Sequence, residues 1–343
     1  MMNKRRIKIL LTLFVLVTML TNTGVALGVN NATPSLSLDS YLGVYRGSYM
    51  ETQGHTGLTL VIYKTQNNTY EATFDFYSVP DNPRVPKGKF IADVTIDNVT
   101  GELLIIGKSW VVRPSGYQLV NLRGLYNKGK LMGTVSRSGT NGFDFEVIHQ
   151  VGDNAPSSWA LTTVNQAVLE SLIPLSLQVN YKDPISRSEF TQLIISAAVQ
   201  YEGITMDAFV VKYSLDKNLD FFEDTKDLSV SYATQLSIVA GYGNNKFGPN
   251  DPLTREQAAK ILRNLLRFYG VEEVSGTPPQ FSDSEKISSW AKEDVFFITS
   301  TLIKSLNTAI MAGDGKLFNP RGIYTKEQSY LTIYRTIQFI EAL

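Results

Sequence analysis

The chain has 343 residues, 43% hydrophobic and 19% charged, an ordinary globular composition at a length that favours two domains. Acids and bases balance at 32 each, but Lys4, Arg5, Arg6 and Lys8 cluster at the start, so the remainder is slightly acidic and suits no nucleic-acid partner. Cysteine is absent, which excludes thiolate metal sites, a cysteine nucleophile and disulfide support.

Taken in order, the chain opens with basic Lys4-Arg5-Arg6, an apolar run from Ile9 to Leu20 and small residues at Gly24, Ala26 and Gly28. The pattern predicts a signal peptide over 1–28, cleaved near Ala26 or Gly28. An uncleaved anchor is the alternative, although the run falls short of the roughly 20 residues that span a bilayer. With no cysteine there is no lipidation box, and Phe339-Ile-Glu-Ala-Leu343 is neither a hydrophobic tail nor a wall-sorting signal. Retention on a cell is therefore expected to be non-covalent, with no membrane insertion after cleavage.

A polar spacer, 29–38, leads into a region, 39–150, with the two-residue period of strands. Alternation marks 41–49, 58–63, 70–77, 90–96, 103–110, 117–126, 130–135 and 143–147. The breaks at Asn67-Asn68, Asn98 to Gly101, Asn127-Lys128-Gly129 and Gly139 to Gly142 hold residues that tolerate positive φ. About eight consecutive strands predict an antiparallel up-and-down barrel or meander, or a sandwich of similar size. Gly43-Val-Tyr-Arg-Gly47 resembles the first strand of small lipocalin-like and avidin-like barrels. Tyr45, Tyr63, Phe74, Phe76 and Trp110 are inward candidates, as plain core or as the lining of a ligand cavity. Arg113-Pro-Ser-Gly-Tyr117 reads as a loop, His55 as a turn residue and His149 as part of a strand face. The sequons at Asn31, Asn68 and Asn98 predict exposed positions. No local signature of a zincin, a serine hydrolase or a nucleotide-binding enzyme occurs, so no catalytic residue, metal or cofactor is expected. A carboxylate pair such as Asp75 with Glu71 or Asp93 is the alternative, since such pairs meet only in space.

Val151-Gly-Asp-Asn-Ala-Pro156 divides the strand region from one with helical spacing, and Gly270 to Pro279 reads as a second linker. Three stretches share a turn, a hydroxyl residue, a cation and a helix: Tyr181–Ile194, Phe247–Leu262 and Phe318–Ile333. Ser186/Glu189, Thr254/Gln257 and Thr325/Gln328 have capping-box spacing, with Pro184, Pro252 and Pro320 upstream. Apolar residues follow at helical spacing, as at Phe190, Leu193, Ile194, Ala197 and at Ala258, Ile261, Leu262, Leu265. Capping does not explain Arg187, Arg255 and Lys326, which put a cation in a first turn where the helix dipole favours an anion. An anionic ligand, held by the free N–H groups of the helix start and the basic side chain, is one explanation; a solvated charge is the other. Units that cannot bury their own apolar faces must stack on their copies.

From Ser157 onward the chain resembles a tandem of three S-layer homology repeats. The second copy shows Phe222-Glu-Asp224, Tyr232-Ala233, Ile238 to Gly243, Phe247-Gly-Pro249 and Thr254-Arg-Glu256. The third shows Phe281-Ser-Asp283, Trp290-Ala291, Ile310 to Gly315, Phe318-Asn-Pro320 and Thr325-Lys-Glu327. The first keeps Trp159-Ala160 and Ser186 to Glu189 but replaces the glycine turn by Ile173-Pro174 through Tyr181. The expected domains are 157–202, a connector 203–219 with Met206, Phe209, Val210 and Tyr213 at helical spacing, 220–270, a linker 271–280, and 281–343.

The resemblance implies α and β parts in separate domains, the second an all-α bundle of three repeats with pseudo-threefold symmetry. It implies a secreted protein at a Gram-positive cell surface, non-enzymatic, binding an acidic, typically pyruvylated, secondary cell-wall polysaccharide. Arg187, Arg255 and Lys326 would meet the carboxylate beside Ser186, Thr254 and Thr325, with Trp159 and Trp290 supporting the grooves or stacking on sugar. Glu256 and Glu327 depart from the usual alanine and are expected to weaken anion binding. The alternatives are an adaptor whose degenerate repeats pack on the β domain or other surface proteins, and a small-ligand barrel.

Overall fold

The computed structural model describes residues 37–137, 142–273, 276–277 and 279–343. The leader with its cleavage sites, nearly all of the spacer, Asn31, most of the Gly139–Gly142 turn and part of the 271–280 linker lie outside the described residues.

Alternating apolar residues in the first half form eight strands, seven close to the expected spans and the sixth beginning at Asn121, since 117–120 lie outside the sheet. These are β1 Gly43–Tyr49, β2 Thr56–Lys64, β3 Tyr70–Tyr77, β4 Gly88–Ile96, β5 Leu103–Val112, β6 Asn121–Asn127, β7 Lys130–Ser136 and β8 Phe143–His149. Each pairs antiparallel with the next, and β1 also pairs with β8, so the sheet is a closed barrel without free edges. Asn68, Gly101, Lys128 and Gly129 take the positive φ that their turns require, and Asn68 and Asn98 are exposed. At the closing seam Gly47 faces Val147, where a Cβ would lie 2.0 Å from the Glu146 carbonyl oxygen. Only glycine lets β1 and β8 approach this closely.

The barrel is filled by its own side chains. Tyr45, Leu60, Phe74, Leu131 and Val147 are wholly buried, Phe74 stacks on Phe90 at 4.4 Å and Tyr45 on His149 at 4.2 Å. Trp110 closes one side of the core, edge-on to Phe90 at 5.4 Å. Tyr63 is a correction to the inward set. Leu60 and Ile62 take the inward register, which sends Tyr63 outside, where its hydroxyl donates to Glu71.

The second half is helical: α1 Leu161–Leu169, α2 Arg187–Tyr201, α3 Met206–Lys212, α4 Leu228–Gln235, α5 Arg255–Phe268, α6 Lys292–Ser300 and α7 Lys326–Glu341. All three capping boxes are present: the cap oxygens of Ser186, Thr254 and Thr325 accept from the N–H groups of Glu189, Gln257 and Gln328, whose side chains accept in return from the cap N–H groups. The segments before these caps pair in a cycle. Ser186 bridges to Pro252, Thr254 to Ile323 and Thr325 to Pro184, so the starts of α2, α5 and α7 form a ring. Ile185, Leu253 and Tyr324, each just before a cap, are wholly buried, and one continuous apolar core extends through the helices.

The α and β parts occupy separate halves of the chain, each with its own core, but they are in contact. Tyr77 of β3 belongs to the helical core, with its hydroxyl 3.5 Å from Gln178, and Ser78 meets Ser171 at 3.1 Å. Arg46, 3% exposed, crosses from β1 to Asn165 and to the Tyr181 hydroxyl at 3.1 Å. The segment in place of the first glycine turn is therefore the barrel's dock. Apolar Ile173 and Leu177 and the buried amide of Gln178 suit packing there.

Candidate ligand grooves at the helix starts

Arg187 and Arg255 open α2 and α5, and each reaches into the turn that follows in the ring. Arg187 donates from Nε to the Phe247 carbonyl at 2.8 Å and from Nη2 to that of Ala240 at 2.9 Å. Its guanidinium lies over the rings of Tyr242 and Phe247, 4.3 and 4.5 Å from their centroids. Arg255 repeats the clamp, with Nε to Phe318 O and Nη2 to Ala312 O, both at 2.7 Å, over the Phe318 ring. Burial lowers the pKa of both guanidinium groups from their ordinary value. The turns are tied from the other side by carboxylates. Asp224 accepts from the N–H groups of Phe247 and Gly248, and Asp283 from those of Phe318 and Asn319. Those N–H groups hold the Asp224 carboxyl below the usual range.

Lys326 is placed differently. Its ammonium pairs with Glu189 of the α2 capping box at 3.0 Å and is buried. The turn it would clamp is the one given over to the barrel.

Two grooves result. The larger, about 450 Å³, lies among Arg255, Trp159, the Ala312–Asn319 turn and Tyr324, Gln328 and Arg335 at the start and along α7. The smaller, about 270 Å³, lies among Arg187, Tyr242, Gln257, Lys260 and Trp290. Trp159 and Trp290 are 58% and 48% exposed, whereas Tyr232, at the matching Tyr-Ala position, is 6% exposed. Each groove offers an indole face, amide groups and a guanidinium, a set able to cover a sugar ring and meet an anion.

The structure corrects two expectations. The first-turn N–H groups are not free: those of Arg187 and Ser188 donate to Asp251 and Pro249, of Arg255 and Glu256 to Gly322 and Pro320, and of Lys326 and Glu327 to Asp183 and Tyr181. The ring of loops supplies these carbonyls, so the helix starts offer side chains, not backbone donors. Nor do the added acids face the grooves. Adjacent helical positions point about 100° apart, which takes Glu256 to the N–H and hydroxyl of Ser288 and Glu327 to those of Ser157. At the remaining junction the polarity is exchanged, with the Ser188 hydroxyl donating to Asp227. Ser186, Thr254 and Thr325 serve as caps.

Sequence reasoning did not single out Tyr242, Lys260, Asp314 or Arg335, whose positions in the grooves depend on tertiary placement, and it quoted Asp224 and Asp283 without a role. The signal for the two aspartates was present in the repeated Phe-x-Asp openings. On the barrel, the weighed carboxylates carry cation partners: Glu71 and Asp93 share Lys108 at 2.8 and 2.9 Å, and Asp75 meets Lys89 at 3.2 Å. His55 pairs with Asp81 at 2.8 Å in a turn.

Beside the closed barrel, the family description of the S-layer homology domain matches residues 228–259 of the helical half. The match runs from the start of α4 through the clamped turn to the first residues of α5. Exoglucanase XynX of Acetivibrio thermocellus is 25% identical over 234 residues, 66% of this chain and 19% of its own. The surface-layer 125 kDa protein of Lysinibacillus sphaericus is 25% identical over 114 residues, 33% of this chain and 9% of its own. An endoglucanase of Bacillus sp. strain KSM-635 is 24% identical over 202 residues, 57% of this chain and 19% of its own. The chain spans 19% or less of the length of these curated relatives.

Proposed function

We propose that the helical half comprises three S-layer homology repeats, 157–202, 220–270 and 281–343, closed into a ring that holds an exported chain non-covalently on the cell wall. The ligand is an anionic, pyruvylated secondary wall polysaccharide, bound in the two grooves at Arg187 with Trp290 and at Arg255 with Trp159. The observation that carries this reading is the pairing, twice over, of an exposed indole with a clamped arginine in one groove. Similarity to a surface-layer protein supports the location. The third junction, with Lys326 neutralised by Glu189 and its turn under the barrel, is a structural joint, and the barrel is displayed cargo without assigned catalysis.

The adaptor reading draws support from one observation, the docking of the first copy on the barrel. A small-ligand barrel has less: its interior is filled by its own side chains, among them Tyr45, Leu60 and Phe74. The test is co-sedimentation of the full chain with wall sacculi before and after removal of the polymer. Binding should be lost with the polymer and should weaken as salt rises; binding indifferent to stripping refutes the anchoring reading.

A further inference from the structure

The two grooves are not copies of one another. Counted from the capping threonine, Asn264 of α5 and Arg335 of α7 hold the same position, as do Lys260 and Leu331. In the smaller groove Asn264 donates its amide to the Ile238 carbonyl at 3.1 Å, and the second cation, Lys260, sits over the exposed Trp290 ring at 5.5 Å. The larger groove instead carries a second guanidinium. Arg335 makes one long hydrogen bond, from Nη1 to Ala309 O at 3.4 Å, and forms no ion pair among the described residues. Asp314, the acid lining this groove, has one oxygen, Oδ1, held by its own turn through the N–H groups of Lys316 and Leu317, and its charge acts on Arg255 and is not paired with Arg335. Arg255 and Arg335 both line this groove, together with Tyr324 and the exposed Trp159.

A cation partly withdrawn from water without an anion is unfavourable, and Arg255 already spends two of its donors on turn carbonyls, so a single acid does not complete this site. At about 450 Å³ the larger groove also has more room for a second acidic group than the smaller, at about 270 Å³. Resting on the polysaccharide reading above, we infer that the larger groove takes a saccharide segment with two acidic groups, one at Arg255 and one at Arg335. Arg335 is then the residue that sets this groove's specificity, by a planar guanidinium suited to a second carboxylate.

The experiment is a titration of the full chain followed by indole fluorescence in a Trp110→Phe, Trp290→Phe background, which leaves Trp159 of the larger groove as the reporter. Two probes are used: a hexosamine with one pyruvate ketal, and a disaccharide in which the adjoining sugar is a uronic acid. The unmodified groove should prefer the two-acid probe. Arg335→Asn, which installs the smaller groove's residue, should weaken that probe by about tenfold or more, a change of roughly 1.4 kcal/mol, and leave the one-acid probe within twofold, while Arg335→Lys should recover part of the loss. Melting curves of both variants report any loss of fold. Equal effects on the two probes, or none on either, overturn the two-acid assignment alone; failure of both probes to bind, together with failure to sediment with sacculi, overturns the anchoring reading and this one with it.

Discussion

Lys326 stands where α2 and α5 carry arginine, yet its charge is met by Glu189, not by a turn carbonyl. For Glu189, burial favours the protonated form, but the Ser186 N–H and Lys326 outweigh it and its pKa lies below the ordinary value. A carboxyl lowered on folding stabilises the protein above its unfolded pKa, about 4.3, and that contribution is lost as pH falls through the lower folded value. Lys326→Met should therefore cost about 1–2 kcal/mol at pH 7, less than a fully buried pair because Glu189 is partly exposed. Urea melts at pH 7 and pH 3 check this: the deficit should shrink at the lower pH. In sacculus binding, Arg255→Ala should be the most damaging of the three cation substitutions and Lys326→Ala the least, since Arg255 both lines a groove and clamps its turn; equal losses would show that groove position does not set affinity.

Among the elements, the seam between β1 and β8 closes the barrel with backbone in close approach. A methyl at Gly47 would meet backbone on the opposite strand, which cannot yield as a side chain does. Gly47→Ala should cost about 3 kcal/mol, read as a lowered thermal midpoint of the β signal in circular dichroism. A change below about 0.5 kcal/mol would mean that the seam relaxes. Each capping box is local by contrast, and Thr254→Ala should cost about 1 kcal/mol, measured by urea denaturation. The backbone bridge from Thr254 to Ile323 survives that substitution, so the ring of helix starts should persist.

At the scale of the whole molecule, Arg46 is the polar centre of the joint between barrel and helices. It reaches Asn165 and Tyr181 in the helical half and Gln150 at 3.5 Å beside the barrel's last strand. Replacing it by leucine strands the buried Tyr181 hydroxyl, at a cost of about 1–3 kcal/mol, and removes a partner of the partly buried Asn165. Calorimetry should show one unfolding transition for the parent chain and two for Arg46→Leu, the barrel and the helices melting apart. An unchanged single transition would show that Tyr77 and the apolar contacts hold the joint by themselves.

What could be read from the residues alone was local. Eight strands follow from a period of two, and the capping boxes at Ser186, Thr254 and Thr325 follow from a spacing of three, because each depends on neighbours within one turn or one strand. The same locality made the first-turn cations at Arg187, Arg255 and Lys326 visible while hiding their partners. Closure of β1 on β8, the outward turn of Tyr63, the carbonyls that consume the helix-start N–H groups and the barrel dock on Ile173–Tyr181 were decided by tertiary structure. Each joins positions far apart in the chain, where no spacing records the contact: Arg187 finds the Phe247 carbonyl, Glu327 finds Ser157, and Arg46 finds Tyr181 only once the ring of helices and the barrel have packed.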